Sequence, residues 1–524
     1  MQHHSSSHAA TPSTHSPVVR RLLSIPEPLI LGFLLFLWLV STSWIRPLSL
    51  PDEGRYAGVA WEMVRTGEWL TPMLNGMPYF HKPPLFYWIT AVSLSLFGPV
   101  EWAARLASCV GAMLGAGAGY LLLRRWISHS LSRWYLLILA TTPLFFGGAQ
   151  YANHDMLVAG FICMAIALIA DAVLCIQASQ PWRLQLVGGW LCAALGLLSK
   201  GLIGIVLPGG VIFFWILLGK RWRVLPKLFW WPGPLAFLLV ATPWFFLMQK
   251  KFPDFFHYFF VYQHFQRFSQ SAFNNAQPFW FYIAVIALTS LPWTPWLLAR
   301  WRLRRQNELP DAALIQLRQL FWLWMAVITV FFSIPTSKLV GYVLPAIPAF
   351  VALLTEGLVN GTRFSLRWRF ALVVVAAALC VGSIIAITRA DDITSKPLAK
   401  AYRDHAAPGE PLVFLQTYRF DIPFYAHLAE PIIIIDKWDE PITRDSWSKE
   451  MADAAVFKPK AGEKVLVNTP DMLKVLCAQP VTWAISPKDF IASSKQLQSL
   501  EPVASNSLYV LVKIPSSLNA LKCP

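Results

Sequence analysis

Apolar residues fill long, almost unbroken stretches from position 28 to position 388, and beyond that the chain changes to short β-rich runs set among charged residues. A helix that crosses a bilayer needs about 20 mostly apolar residues. The first such run is Pro28–Ile45, and others lie near 103–122, 134–150, 155–176, 229–248, 278–299, 319–334, 339–358 and 370–388. Leu184–Leu218 is long enough for two crossings, with its single charged residue, Lys200, near the middle, so it reads as a hairpin with Lys200 at the tip. The apolar stretch Pro83–Phe97 is too short to cross and reads as an interfacial helix within a long first outer loop, 44–101. Span-length arithmetic then gives about eleven crossings, with thirteen as the upper count, and an odd number puts the two ends of the chain on opposite sides. After Ala390 the runs PLVFLQ, PIIIID, KVLVNT and SLYVLVKI alternate with helical stretches such as Asp471–Cys477, the pattern of a small α/β domain.

Composition agrees with a membrane protein. Of 524 residues 56% are hydrophobic and only 14% charged, with a mean hydropathy of +0.48, more apolar surface than one soluble core buries. The net charge of +16 would suit nucleic acid if it formed a patch. Instead Arg20–Arg21, Arg124–Arg125, Lys220–Lys227, Arg300–Arg305 and Arg363–Arg369 fall in short loops between apolar runs, the positive-inside pattern, so no nucleic-acid partner is expected. These clusters place the N-terminus in the cytoplasm and the C-terminal domain outside. Residues 1–19 have the composition of a disordered tail. Pro28–Ile45 follows two arginines with no small-residue cleavage site, as a retained signal anchor does. Cys109, Cys163, Cys175, Cys192 and Cys380 sit in apolar runs as packing residues. Cys477 and Cys523 can pair if their domain faces an oxidising compartment.

The threading rests on the arginine and lysine loops, yet it brings a separate set of polar residues to the outer face: Asp52, Glu53, Arg55 and Tyr56 (DEGRY), His81 and Lys82 (HKPP), His154 and Asp155 (NHD), Lys200 (SKG), His264 and Arg267 (QHFQRF), and Ser337, Lys338 and Tyr342 (SKLVGY). Ionisable groups at the margins of membrane helices are costly, which makes each a functional candidate. Asp52, Arg55 and Tyr56 share one helical face, and a carboxylate beside a cation suits chemistry at a phosphate ester. The structural alternative makes Asp52 an N-cap and Arg55 its partner. Pro83 and Pro84 hold His81 and Lys82 extended. Lys82, Lys200 and Lys338 offer point charges for phosphate oxygens, against the alternative of snorkelling to headgroups. His81, Asp155 and His264 carry the donor atoms a divalent metal such as zinc takes. The aromatic run FFHYFFVYQHFQRF suits an interfacial belt, or an opening for a prenyl chain. A GxxxxGK[ST] loop is absent from the sequence, as is any internal repeat, which argues against a nucleotide-driven pump and against a two-halved transporter.

The motifs PDEGRYAGVAWEM, HKPPLFYW, WAARLAS, ANHDM, LSKG, QHFQRF and SKLVGYVLPAIPA, in this order, resemble those of the bacterial GT-C glycosyltransferases that move 4-amino-4-deoxy-L-arabinose from undecaprenyl phosphate to lipid A. The wider family includes protein O-mannosyltransferases. The resemblance implies a mainly α, polytopic GT-C fold over residues 20–389 and a periplasmic α/β domain over 390–524, in a multi-pass protein of the bacterial inner membrane among membrane lipids. It implies an inverting transfer that needs no cofactor, from an undecaprenyl-phosphate sugar donor to a lipid A acceptor, the lipopolysaccharide change associated with polymyxin resistance. Asp52, Glu53 and Asp155 are then the catalytic carboxylates. Arg55, Tyr56, Lys82, Lys200, Arg267, Lys338 and Tyr342 contact donor and phosphate. His81 stands where relatives often have glutamate. That departure bears on the metal set and leaves room for a hexosamine or mannose donor, or for a protein or other envelope-glycan acceptor.

Overall fold

The computed structural model describes residues 26–266, 275–298, 312–360, 365–389, 393–440, 446–521 and 523, without the side chains of 264–266. The expected tail 1–19, the clusters Arg20–Arg21 and Arg300–Arg305, and Arg363 lie outside the described residues, as do Arg267 and the His264 side chain.

The helices are α1 (Glu27–Val40), α2 (Asp52–Thr66), α3 (Leu85–Phe97), α4 (Glu101–Trp126), α5 (His129–Ala140), α6 (Pro143–Ala149), α7 (His154–Gln177), α8 (Arg183–Lys200), α9 (Ile203–Leu218), α10 (Pro232–Lys251), α11 (Phe281–Thr289), α12 (Ala312–Ser333), α13 (Ile347–Asn360) and α14 (Leu366–Thr388). Among the described residues six helices are long and apolar enough to cross a membrane: α4, α7, α10, α12, α13 with the 3-10 turn before it, and α14. The other apolar runs form shorter or broken helices. The run 134–150, expected as one span, divides into α5 and α6 at Thr141–Thr142 because Pro143 cannot continue the helix backwards. The Lys200 hairpin is present as α8 and α9. Its turn is made by Gly201 at φ +93°, a left-handed conformation that disfavours side chains.

Helix α4 runs from one end of the bundle to the other. Arg105 lies in its first turns, and Arg124 and Arg125 in its last, about 30 Å away at 1.5 Å per residue. At the Arg124 end, Arg125 donates to Asp171 (2.7 Å), Arg133 to Glu27 (2.6 Å), Arg221 to Gln316 and Gln319, and Arg318 to Glu356 (2.7 Å). The motif residues lie at the opposite end. Two ends with such different polar groups, joined by apolar helices, make this a multi-pass membrane protein.

The C-terminal domain sits on the Arg105 end. After α15 (Lys396–His405), strands β1 (Leu412–Leu415), β2 (Ile433–Asp436), β3 (Leu466–Asn468), β4 (Val481–Pro487), β5 (Pro502–Ser505) and β6 (Tyr509–Pro515) form one sheet in the order β3-β2-β1-β4-β6-β5. The pairs β1–β2, β2–β3 and β1–β4 are parallel; β6 runs antiparallel to β4 and β5. Four strands are expected from the sequence, and β4, between the two halves of the sheet, is one of two more. Its alternation VTWAISP is too short to separate from the surrounding proline-bounded loops. Helix α16 (Trp447–Val456) lies against the short strand Met77–Pro78 that follows α2. Cys477 and Cys523 are disulfide-bonded.

Helix α2 is the surface on which this domain docks. Gly54 and Gly58 lie one turn apart; a Cβ at Gly54 would come within 2.8 Å of the Asp421 backbone, and one at Gly58 within 3.3 Å of the Phe420 carbonyl. Small residues at this spacing let α2 approach the 418–421 segment backbone to backbone. Asn75 exchanges two hydrogen bonds with Ile432 (2.8 and 2.9 Å). One apolar core runs through α2, α3, the start of α4 and the inner face of the sheet.

Candidate functional site

Pro51 is followed by two acidic residues in the first turn of α2, where the helix dipole favours negative charge. Their environments differ sharply. Glu53 points into the bundle and is fully buried, and it accepts from Arg46 (2.5 Å), Arg105 (2.8 and 3.0 Å), and the backbone N–H groups of Ser49 and Ala152 (both 2.8 Å). Burial opposes its ionisation, but the two guanidinium groups prevail and hold its carboxyl at about 2. Glu53, expected as a catalytic carboxylate, therefore has its oxygens filled by donors. It ties α2 to α4 and to the approach to α7.

Asp52 lies on the other face of α2 with 30% of its side chain exposed. It forms an ion pair with Arg55, as their shared face predicts, and the same guanidinium pairs with Glu450 of α16. Tyr79 donates to the other Glu450 oxygen (3.2 Å). Arg55 lies over the rings of Tyr56 (5.0 Å) and Phe420 (5.4 Å). Burial works against its charge, yet the carboxylates of Glu450 and Asp52 raise it further above the usual arginine range.

A second ion pair stands beside the first. Asp155 opens α7, with its backbone N–H capped by the Asn153 side chain (2.6 Å), and binds the Lys200 ammonium from the α8–α9 tip. The ammonium also sits 4.3 Å from the centre of the Tyr342 ring. A Cβ at Gly341 would fall 2.5 Å from the Asp155 carboxylate, so the backbone of SKLVGY reaches the pair only because that position is glycine. The Tyr56 ring of α2 packs edge-on against His154 (4.5 Å), the neighbour of Asp155 at the start of α7, so the two pairs stand side by side. Lys82, Lys200 and Arg55 all act on His154. Its ring is enclosed by Tyr56, Phe86 and Tyr87 at 4.5–4.9 Å, and neither ring nitrogen has a hydrogen-bond partner among the described residues.

Two expected assignments change. Lys338 is buried and donates to three backbone carbonyls, of Gln277 (2.9 Å), Pro335 (2.6 Å) and Thr336 (3.4 Å). An ammonium has three N–H groups, so this lysine fastens a turn instead of meeting a phosphate. Of the expected metal set, His81 and Asp155 stay apart, and the His264 side chain lies outside the described residues. His81 faces Asp453 of α16 (3.7 Å) between the rings of Tyr79 and Tyr258, whereas Asp155 is held by Lys200. Among the described residues no three histidine, cysteine or acidic side chains converge, so His81 and Asp155 do not fit a shared zinc site.

The structure adds residues that the candidate set does not contain. Glu450 and Asp453 come from almost 400 residues away, and no local pattern marks them. Arg105 carried a signal: an arginine inside an apolar run calls for a buried acidic partner, and Glu53 is that partner.

Fold and site together define a class: a polytopic membrane protein whose helices and α/β domain jointly enclose two ion pairs, Asp52–Arg55 and Asp155–Lys200, at one end of the bundle. Its fold is that of ArnT from Cupriavidus metallidurans bound to undecaprenyl phosphate, with a TM-score of 0.76 over 96% of this chain and 99% of that one at 24% identity. The GT-C fold expected from the motifs is thus the fold found. The chain is 34% identical over 325 residues to the undecaprenyl phosphate-alpha-4-amino-4-deoxy-L-arabinose arabinosyl transferase of Erwinia tasmaniensis, a match spanning 60% of this chain but only 56% of that relative's length. The protein of the same description from Shewanella sediminis is 26% identical over 93% of this chain and 82% of its own length. Residues 81–246 match the dolichyl-phosphate-mannose-protein mannosyltransferase family.

Proposed function

We propose that this protein transfers an aminosugar, 4-amino-4-deoxy-L-arabinose, from undecaprenyl phosphate to a phosphate of lipid A at the periplasmic face of the inner membrane. The observation that carries the reading is the joint site itself. A partly exposed carboxylate, Asp52, stands beside Arg55, Lys200 and Tyr342 where membrane helices meet the outer domain, in a fold shared with a protein bound to undecaprenyl phosphate.

In this reading the reaction is a direct displacement at the anomeric carbon. An oxygen of the acceptor phosphate forms a bond to the anomeric carbon as the bond from that carbon to the donor phosphate breaks, and the electron pair leaves on undecaprenyl phosphate. Attack from the face opposite the leaving group inverts the carbon. The acceptor is already ionised and needs little general-base help. Asp52 therefore serves by orienting the reactants and stabilising positive charge on the sugar ring, while Arg55 and Lys200 balance the charge gathering on the departing phosphate. Lys82 and Tyr56 complete the donor contacts. His81, in place of the more frequent glutamate, is bound to Asp453, so any change it makes in sugar choice acts together with α16.

Mass spectrometry of lipid A from cells with and without the protein tests the reading. A mass increment of one aminopentose per modified phosphate is the expected result. A hexosamine or hexose increment would reassign the donor, and unaltered lipid A in cells supplied with the donor lipid would refute the acceptor.

A further inference from the structure

Among the described residues Arg55 is the guanidinium that stands beside Asp52, yet it is already engaged twice. Its Nη2 holds Asp52 and its Nη1 holds Glu450, while Nε has no acceptor among the described residues. Guanidinium recognises carboxylate and phosphate through the same planar fork, so a carboxylate at Nη1 occupies the position a phosphate would use. Adding a donor phosphate to this group would place three anions around one largely buried cation, a costly arrangement in a poorly solvated site. One carboxylate must withdraw.

The architecture decides which one. Asp52 and Arg55 sit on the same turn of α2 and stay together. Glu450 belongs to α16, in a different domain, and α16 makes a second contact of the same kind: Asp453, one turn further on, faces His81, accepts from Tyr258 (3.2 Å) and pairs with Lys449. Phe457, at the end of α16, packs edge-on against Phe80 (4.8 Å) and Tyr258 (5.1 Å). One helix face thus covers two motif residues with two carboxylates.

We propose that Glu450 is a resident stand-in for the donor's phosphate at Arg55, so that the donor enters by exchanging with Glu450 and so frees α16 from the site. Glu450 is then a positioning residue: in the empty enzyme it keeps Arg55 extended towards the site, and its departure couples donor entry to movement of the outer domain. The proposal rests on the donor reading above.

The test uses the full chain in lipid nanodiscs, with undecaprenyl phosphate as the probe. Glu450→Gln keeps the shape and removes the competing charge, so it should bind undecaprenyl phosphate roughly three- to tenfold more tightly than wild type, and Glu450→Asp should return towards the wild-type affinity. A merely structural Glu450 would give weaker or unchanged binding in the Gln variant, and that result overturns the proposal. A measurement on the unaltered protein guards against a variant that does not fold: amide hydrogen exchange in residues 447–456 should speed up when undecaprenyl phosphate is added. Unchanged or slower exchange in a protein that binds the lipid would overturn the exchange and leave the transferase reading standing. A wild-type protein that binds no undecaprenyl phosphate would remove both.

Discussion

Glu53 and Asp52 are neighbours in sequence, carry the same charge and open the same helix, yet they belong to two different regions of the molecule. The Glu53 knot is sealed: four donor groups surround the carboxylate, supplied by the 46–49 segment, α4 and the turn before α7. The Asp52 region is open: one guanidinium is shared between two carboxylates, and the side chain reaches the surface. A satisfied buried ion group holds structure, whereas an incompletely satisfied one is available for chemistry.

The largest effect should separate these two regions. Asp52→Asn is expected to lower sugar transfer by on the order of 10³-fold without moving the unfolding temperature, as measured with purified protein and donor lipid. If activity survived, Asp52 would lose its place at the reacting carbon. Glu53→Gln should do the reverse, lowering stability by about 3–5 kcal/mol because Arg46 and Arg105 are left buried without their counter-charge, with the remaining folded protein still active. The acid response carries the same signature. The Glu53 carboxyl lies at about 2 in the folded protein against an ordinary 4.5, so its stabilisation is complete above about pH 4.5 and disappears as pH falls towards 2. Acid unfolding followed by tryptophan fluorescence should show that loss in wild type and lack it in Glu53→Gln.

The two lysines sharpen the contrast at a smaller scale. Lys200→Gln should weaken undecaprenyl phosphate binding by about tenfold, whereas Lys338→Gln should leave affinity intact and lower the unfolding temperature, since its partners are backbone carbonyls and each buried carbonyl left unpaired costs about 1–3 kcal/mol. Equal losses of affinity in both would restore Lys338 as a phosphate contact. The smallest expected effect concerns docking of the C-terminal domain. Gly54→Ala drives a methyl into the Asp421 backbone and should cost about 1–3 kcal/mol, and Gly58→Ala less, because its nearest neighbour is further away. Limited proteolysis between α14 and α15 reads out the loosened domain.

Much of the site was legible in the chain because membrane physics makes polar residues conspicuous. Asp52, Arg55, Lys82, Asp155 and Lys200 stand at the ends of apolar runs, and the structure brings them to one end of the bundle. Asp52 and Glu53 are alike in sequence, since what separates them is Arg105, which reaches Glu53 only once α4 packs beside α2. Nor could it show that Lys338 is consumed by carbonyls of its own turn and of residue 277. Glu450 and Asp453 were invisible, because a charged residue on a helix of a water-soluble domain is unexceptional until something lies against it.

By itself, then, the sequence determined the multi-pass helical character, the Lys200 hairpin and the polar end of the bundle, because long apolar runs are local properties that a bilayer reads directly. Only the tertiary structure decided which carboxylate is sealed and which is exposed, and which helix of the C-terminal domain reaches into the site. Ion pairing and desolvation act over a few ångströms in space, without regard to distance along the chain.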